Sequence, residues 1–267
     1  MSSLSKLQEC LSAAGKLHRT CTLHRYSNRY NRFLIIMKWI QLLRDWSEVW
    51  ALLIPLIIIL IYRPKGKNVS LLIIYVILAF ILNFFAIWMV EFYYWVPSWM
   101  TKGNNVFYNI HSFIMVILFG WYIIRVRSYK NVHIMRFILF AYVAFVLLNF
   151  ILRDSPLLLS TRHFTVGSTV LLLMCLFYFF RTIMEESRIN WLRHPSFIIC
   201  TAVCLYQAIT FFIFLFIYPL FDETYNRDLS FAMLMMRVYQ IIFVIFCILL
   251  AIGLFQYRKR KKSPVNE

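Results

Sequence analysis

The sequence has few charged residues. Only 15% of its 267 residues are charged, whereas 62% are hydrophobic. One soluble core of this length could not bury so much apolar surface, which argues against a water-soluble globular protein. The composition instead predicts a polytopic membrane protein that has the lipid bilayer as its main partner.

Acidic residues are scarce as well, with 11 Asp and Glu against 28 Lys and Arg and a net charge of +17. A nucleic-acid-binding protein would spread its basic residues over a polar folded surface. Here they form short clusters between apolar stretches of about 20 residues, the length that spans a bilayer as a helix. The basic run at 258–262 directly follows such a stretch. The charge therefore predicts membrane topology, and no nucleic-acid partner is expected.

Seven apolar stretches are candidates for transmembrane helices. They are continuous and do not alternate polar with apolar residues, which favours helices over barrel strands. The first stretch is the weakest, because it is short and contains Pro55. The sequence predicts an all-α, polytopic membrane bundle of seven transmembrane helices over residues 46–257, with spans at 46–62, 70–92, 106–124, 134–152, 163–183, 196–220 and 229–257.

Lys and Arg are distributed unequally between the two sides of this bundle. The connections after spans one, three and five and the segment after span seven carry clusters, whereas the other connections carry only Lys102, Arg153, Arg162 and Arg227. The positive-inside rule assigns the clustered side to the cytoplasm. The expected topology has the amino terminus outside and the basic tail, 258–267, in the cytoplasm. The expected location is a cell inner membrane, crossed several times.

Residues 1–45 form a basic amino-terminal arm that disagrees with this topology, since its positive charges should resist translocation. Its longest apolar run, at 33–37, is too short for a secretory signal. Two interpretations stay open. Either Met37 is the true start of the protein, or residues 1–36 are a basic and mostly disordered arm.

Two ionisable residues lie within or at the ends of the spans, where a charge is by default a candidate functional site. Glu91 closes span two, and Arg237 lies near the outer boundary of span seven. The two side chains are predicted to lie at the same depth in the membrane and to form an ion pair. In the alternative interpretation, Arg237 reaches the outer headgroups.

Helical spacing brings further polar residues onto common faces. They either outline a ligand-binding cavity in the outer half of the bundle or join helices through hydrogen bonds, as polar side chains commonly do in lipid. Asn83 and Asn149 are predicted to face the bundle interior in the same way. The remaining candidates are Asn105, Asn109, His111 and Ser112 on span three, Gln207 on span six, and Gln240 beside Arg237 on span seven.

Motifs of enzymes and cofactor sites are missing. The six histidines form no HxxxH or HExxH pair, and no GxSxG, P-loop or DxxD motif occurs. Span seven contains no lysine, which excludes a retinal Schiff base there. The sequence thus leans against an enzyme, and no catalytic residue, cofactor or metal ion is expected.

Two segments carry a resemblance to a known group of proteins. These are the Asn-led span three, NNVFYNIHSFIMVILFGWYI at 104–123, and FYFFRTIMEESRINWLRHPSFIICTAVCLYQAITFFIF at 177–214. The order of features resembles poorly characterised, Bacteroidota-type bacterial seven-helix membrane proteins that are similar to sensory modules of histidine kinases. The resemblance implies a sensory or receptor-like bundle and carries over no functional residue.

Three functions are therefore open. The leading hypothesis is a bundle that senses an outer-side or lipid-borne signal and relays it to a separate cytoplasmic signalling partner. The alternative is a small-solute transporter or permease, although paired Gly or Pro breaks in the two halves are missing. A membrane-embedded lipid enzyme ranks third.

Overall fold

The computed structural model describes residues 43–64, 66, 68–91, 104–126, 132–152, 159–185, 194–221 and 229–262. The chain divides into two compact units, Met1–Trp46 and Ser47–Glu267. Only residues 43–46 of the first unit are described, so the predicted amino-terminal arm lies outside the described residues. Most of the connecting segments, whose Lys and Arg residues were used to predict the topology, also lie outside the described residues.

The second unit is built of α-helices, and no strand occurs among the described residues. Each predicted apolar stretch forms a helix whose ends lie within two residues of the prediction, except that the last helix continues further. The helices are α1 (Ser47–Tyr62), α2 (Val69–Glu91), α3 (Asn104–Val126), α4 (Val132–Leu152), α5 (Thr161–Glu185), α6 (Pro195–Phe221) and α7 (Leu229–Lys262).

Six of these helices, α2 to α7, are long and apolar enough to cross a bilayer. The chain is therefore a multi-pass helical membrane protein. The first helix is equally apolar but has only 16 residues. At a helical rise of about 1.5 Å per residue, its length is about 24 Å. It holds Pro55 in its interior, and the helix continues through that residue.

The packing of the helices forms a ring. Helix α1 packs against α2 and α7, α7 packs against α6, α6 against α5, α5 against α3, and α3 against α2. Helices α3 and α6 also touch each other across this ring. Helix α4 packs chiefly on the outside, against α3 and α5, and its residues Phe137 and Ile151 are 71% and 76% exposed. Such apolar exposure fits a surface that contacts lipid.

Aromatic side chains fill the centre of the ring. Tyr75 of α2 contacts Phe119 of α3 edge to face, with ring centroids 4.7 Å apart. Phe246 of α7 adjoins Phe119 at 5.8 Å and Tyr206 of α6 at 5.0 Å. Because lipid chains are as apolar as these side chains, such close packing rather than hydrophobic burial holds the helices together.

Small residues allow the closest approach between helices. A Cβ atom on Gly253 of α7 would lie 2.5 Å from Cγ1 of Ile199 and 3.4 Å from the backbone oxygen of Pro195, both on α6. Gly167 of α5 is less tightly placed, since its Cβ would lie 3.0 Å from Cγ2 of Val116 and 3.1 Å from the hydroxyl of Tyr142. A side chain at Gly253 would hold the backbones of α6 and α7 apart, as expected for small residues between membrane helices.

Candidate functional site

A cavity of about 250 Å³ opens at one end of the bundle. It lies between the amino-terminal parts of α1, α3, α5 and α7 and the carboxyl-terminal part of α6. We call this the Glu48 end of the bundle, and the opposite end the Tyr257 end. The polar lining residues are Glu48, Asn105, Tyr108, Tyr239 and Gln240, and the apolar ones are Leu159, Phe164, Phe214 and Met236.

Glu48 is the acidic residue of the cavity and is only 8% exposed. It lies in the first turn of α1, where the positive end of the helix dipole favours an acid. Among the residues that the structure describes, it forms no hydrogen bond and no ion pair. A carboxylate left unpaired in an apolar interior costs on the order of several kcal/mol. The cavity therefore contains a buried acid that no described neighbour pairs with.

Tyr239 connects the cavity to the aromatic centre of the bundle. Its hydroxyl accepts a hydrogen bond from Tyr206 at 2.9 Å. Because a tyrosine hydroxyl has one proton to donate in addition to its acceptor sites, Tyr239 can still donate to an occupant of the cavity. Its ring also contacts Phe214, with centroids 5.9 Å apart. A single side chain thus carries both a polar and an apolar surface of the site.

A second polar cluster joins α3, α4 and α5 near the same end. Ser160 caps α5, because its Oγ accepts a hydrogen bond from the backbone N–H of His163 at 3.3 Å. The same Oγ accepts from Asn149 of α4 at 3.2 Å, and the backbone N–H of Ser160 donates to Oδ1 of Asn109 at 3.3 Å. Side chains of α3 and α4 therefore both form hydrogen bonds with the residue that caps α5.

His163 lies at the centre of this cluster and is completely buried. Its Nδ1 is 3.2 Å from the hydroxyl of Tyr142, and its Nε2 is 3.2 Å from the backbone oxygen of Asn109. Since a carbonyl only accepts, Nε2 carries the proton and Nδ1 accepts from Tyr142. Both ring nitrogens thus have partners, which fits a structural role rather than a ligand-binding one.

The predicted site residues separate into several places. Asn105 and Gln240 line the cavity. Asn109 is buried in the His163 cluster instead. Ser112 is half-buried on α3, and His111 is buried with its Nε2 3.3 Å from the hydroxyl of Tyr75.

Two of the remaining candidates, Gln207 and Arg237, are not among the described residues that line the cavity. Gln207 is buried and donates to Sδ of Met115 at 3.4 Å, which matches the alternative that such residues join helices. Arg237 is exposed and forms no ion pair with a described residue. The side chain of Glu91 lies outside the described residues, so its pairing with Arg237 stays a prediction.

Sequence reasoning missed three residues of these clusters. It assigned no role to Glu48 or Tyr239, and it treated His163 only as the start of a span. In the structure Glu48 shares a buried face of α1 with Leu52 and Pro55, four and seven residues further on, but α1 is apolar on all sides and its sequence does not mark that face. Asn83 and Asn149 are buried, as predicted.

A third polar cluster lies at the Tyr257 end. The hydroxyl of Tyr257, on α7, is 2.8 Å from Oγ of Ser196 on α6 and 2.9 Å from the hydroxyl of Tyr122 on α3. Asn68, next to the start of α2, donates to the backbone oxygen of Arg125 at 3.3 Å. Tyr257 therefore joins three helices near the point where the basic tail begins.

Compared with protein-family models, curated proteins and solved structures, the chain shows no match.

Proposed function

We propose that this protein is a sensory, receptor-like bundle of seven transmembrane helices that binds its signal in the cavity at the Glu48 end. Occupation of the cavity shifts α7, and the shift is passed to a separate cytoplasmic signalling partner. The proposal is supported by the cavity itself and by the resemblance of 104–123 and 177–214 to bacterial sensory modules.

Helix α1 is the seventh span in this proposal. It closes the ring between α2 and α7, and its apolar surface includes Ile57, Leu60 and Ile61, all at least half exposed. At about 24 Å it is shorter than a hydrocarbon core of about 30 Å, a mismatch that local thinning of the bilayer accommodates at modest cost.

The proposed orientation has the Glu48 end outside the cell and the Tyr257 end in the cytoplasm of a bacterial inner membrane. Arg63 follows α1, Arg125 closes α3, and α7 ends in the run of Lys and Arg that reaches Lys262. All three lie at the Tyr257 end. The positive-inside rule supports a cytoplasmic location for that end.

Helix α7 is the observation that carries the sensory proposal. It contributes Met236, Tyr239 and Gln240 to the cavity and Tyr257 to the polar cluster at the other end. Between these points it is one continuous helix, and it extends to Lys262. A rigid element that touches the binding cavity and the proposed cytoplasmic surface can transmit a small helix shift from one to the other.

The transporter alternative predicts other features. Many transporters bind their substrate at mid-membrane between discontinuous helices. In the described part of this chain, the helices are continuous and the cavity lies at one end. These features favour a sensor.

A cavity-filling substitution tests the proposal without knowledge of the natural signal. In Gln240→Trp, the larger side chain occupies the cavity, whereas in the control, Ile241→Trp, the same side chain replaces a neighbour that is 60% exposed on the apolar surface. Hydrogen–deuterium exchange of the full-length protein in nanodiscs is compared over residues 252–262. We expect Gln240→Trp to change the exchange there and Ile241→Trp to match the wild type.

Two results would contradict the proposal. Equal exchange in all three proteins would mean that the cavity is not coupled to the Tyr257 end. Counterflow of a radiolabelled amine, amino acid or sugar in proteoliposomes, blocked by Gln240→Trp but not by Ile241→Trp, would show a transporter instead.

A further inference from the structure

We infer that the cavity at the Glu48 end binds a small organic cation, a protonated amine with an apolar body, and that Glu48 supplies the opposite charge. The inference rests on the proposed function, since it names the chemical class of the signal. It goes further by assigning recognition to one side chain.

The sign of the ligand charge follows from Glu48. Its side chain lines the cavity, is more than nine-tenths buried, and has no described hydrogen-bond or ion-pair partner. None of the described residues that line the cavity is basic. A cation in the cavity would neutralise the buried carboxylate, whereas an anion would add a second unpaired charge of the same sign.

The ligand is organic rather than a metal ion. Among the described residues, no group of three or more His, Cys, Asp or Glu side chains is arranged to hold a metal. Calcium takes six to eight oxygen ligands, and magnesium requires a near-octahedral set. One carboxylate surrounded mainly by aromatic and aliphatic carbon does not provide such a set.

The walls of the cavity fit an ammonium group attached to an apolar body. Phe164 and Phe214 stack with their centroids 4.4 Å apart and an interplanar angle of 22°, which gives a flat apolar wall. Tyr108 and Tyr239 add aromatic surface beside the polar side chains. Aromatic faces attract cations and also accept flat apolar groups.

The size of the cavity limits the ligand. The cavity volume is about 250 Å³. Pockets for drug-sized molecules typically begin at about 300 Å³, so the ligand must be smaller than such a molecule. Asn105 and Gln240 provide amide groups that can accept hydrogen bonds from an ammonium group. A small arylalkylamine meets these requirements of charge, shape and size.

Three probes of matched shape test the charge. Binding of 2-phenylethylamine, 2-phenylethanol and phenylacetate to the full-length protein in nanodiscs is measured by isothermal titration calorimetry at neutral pH. We expect the amine to bind at least tenfold more tightly than the alcohol and the carboxylate not to bind. Equal affinity for the amine and the alcohol, or no binding of the amine, would overturn the inference.

Substitutions then test the residue. Glu48→Gln retains the shape of the side chain but removes its charge, and it is expected to weaken amine binding at least tenfold without changing the affinity for the alcohol. Asp45→Asn is the control, because it neutralises an exposed acid that pairs with Arg44 instead. If Glu48→Gln does not fold, amine binding is measured with Gln240→Trp instead, and that substitution is expected to abolish the binding. Full amine binding by the folded variant would refute the assignment.

The two proposals fail separately. If Gln240→Trp alters exchange at the Tyr257 end but no amine binds, the sensory bundle stands and the ligand class is wrong. If the amine binds through Glu48 without any change of exchange over residues 252–262, the ligand class stands and the relay is wrong.

Discussion

Replacement of Gly253 by Ala tests how tightly α6 and α7 pack at this residue. The new Cβ would lie 2.5 Å from Cγ1 and 3.0 Å from Cδ1 of Ile199. The optimal separation of two carbon atoms is about 3.5–4.0 Å, so the helices would have to move apart by about 1 Å. Ile199 is completely buried, and its Cγ1 is bonded directly to Cβ, so that atom cannot move far unless the backbone moves. The strain must therefore be taken up by the contact between α6 and α7.

The expected magnitude follows from two opposing effects. Overpacking of a dense interior costs about 1–3 kcal/mol, whereas Ala is favoured over Gly within a helix by up to about 1 kcal/mol. Because a 2.5 Å contact lies in the upper part of the overpacking range, a cost of about 2–3 kcal/mol less a gain of about 1 kcal/mol leaves an expected loss of about 1–2 kcal/mol of unfolding free energy for Gly253→Ala.

Gly120→Ala is a matched control. Its Cβ would meet Cδ1 of Leu139 at 2.9 Å, but that atom is the flexible end of a side chain. A small change of the Leu139 side-chain angle costs about as much free energy as the helix gains when Ala replaces Gly. The free energy of unfolding should therefore stay within about 0.5 kcal/mol of the wild type.

The assay is reversible unfolding by SDS in mixed micelles, followed by far-ultraviolet circular dichroism. Ile199→Ala removes the atoms that the new methyl group would meet, and alone it should cost about 2–5 kcal/mol. In the double variant, the total loss should be smaller than the sum by at least about 1 kcal/mol. Wild-type stability of Gly253→Ala, or additive losses in the double variant, would refute the tight contact between α6 and α7.

Four further predictions concern the polar clusters and the topology. Ser160→Ala should cost about 0.5–2 kcal/mol of unfolding free energy in the same assay because α5 loses its cap, whereas Ser160→Thr should cost less because it keeps the hydroxyl. Tyr142→Phe, which removes the bond to His163, should cost about 0.6 kcal/mol and at most about 1.7 kcal/mol, and a larger loss would indicate a change in packing. Tyr257→Phe should speed hydrogen exchange at the end of α7. A reporter that works only in the cytoplasm should be active when it is fused after residue 262, and a reporter that works only outside the cytoplasm should be inactive there.

The helices could be predicted from the sequence because the bilayer imposes a simple requirement. A segment that crosses hydrocarbon must be apolar along its whole length and must satisfy its own backbone hydrogen bonds. These two conditions determine where each helix lies along the chain. They explain why the predicted ends agree with the observed ones. The last apolar span ends at Tyr257 as predicted, and α7 continues to Lys262 because its charged last turns extend beyond the apolar run.

The cavity was harder to predict, because these helices are apolar on all sides. Because α1 has no polar face, its sequence does not predict which side faces the neighbouring helices. From the sequence alone, Glu48 is therefore interpreted only as a charge at a helix end. Asn105 and Gln240 could be found because polar residues within apolar helices are rare. Tyr239 could not, since a tyrosine also fits a lipid-facing or interfacial position.

The peripheral position of α4 bears on the order of assembly. The other six described helices form a ring in which each packs against two neighbours, whereas α4 is attached chiefly through Asn149, Tyr142 and the closely packed surface around Gly120. Insertion of a helix and its docking are separate steps in a bilayer. The ring can close before α4 docks, and a change in lipid composition that competes for the α4 surface will detach that helix first.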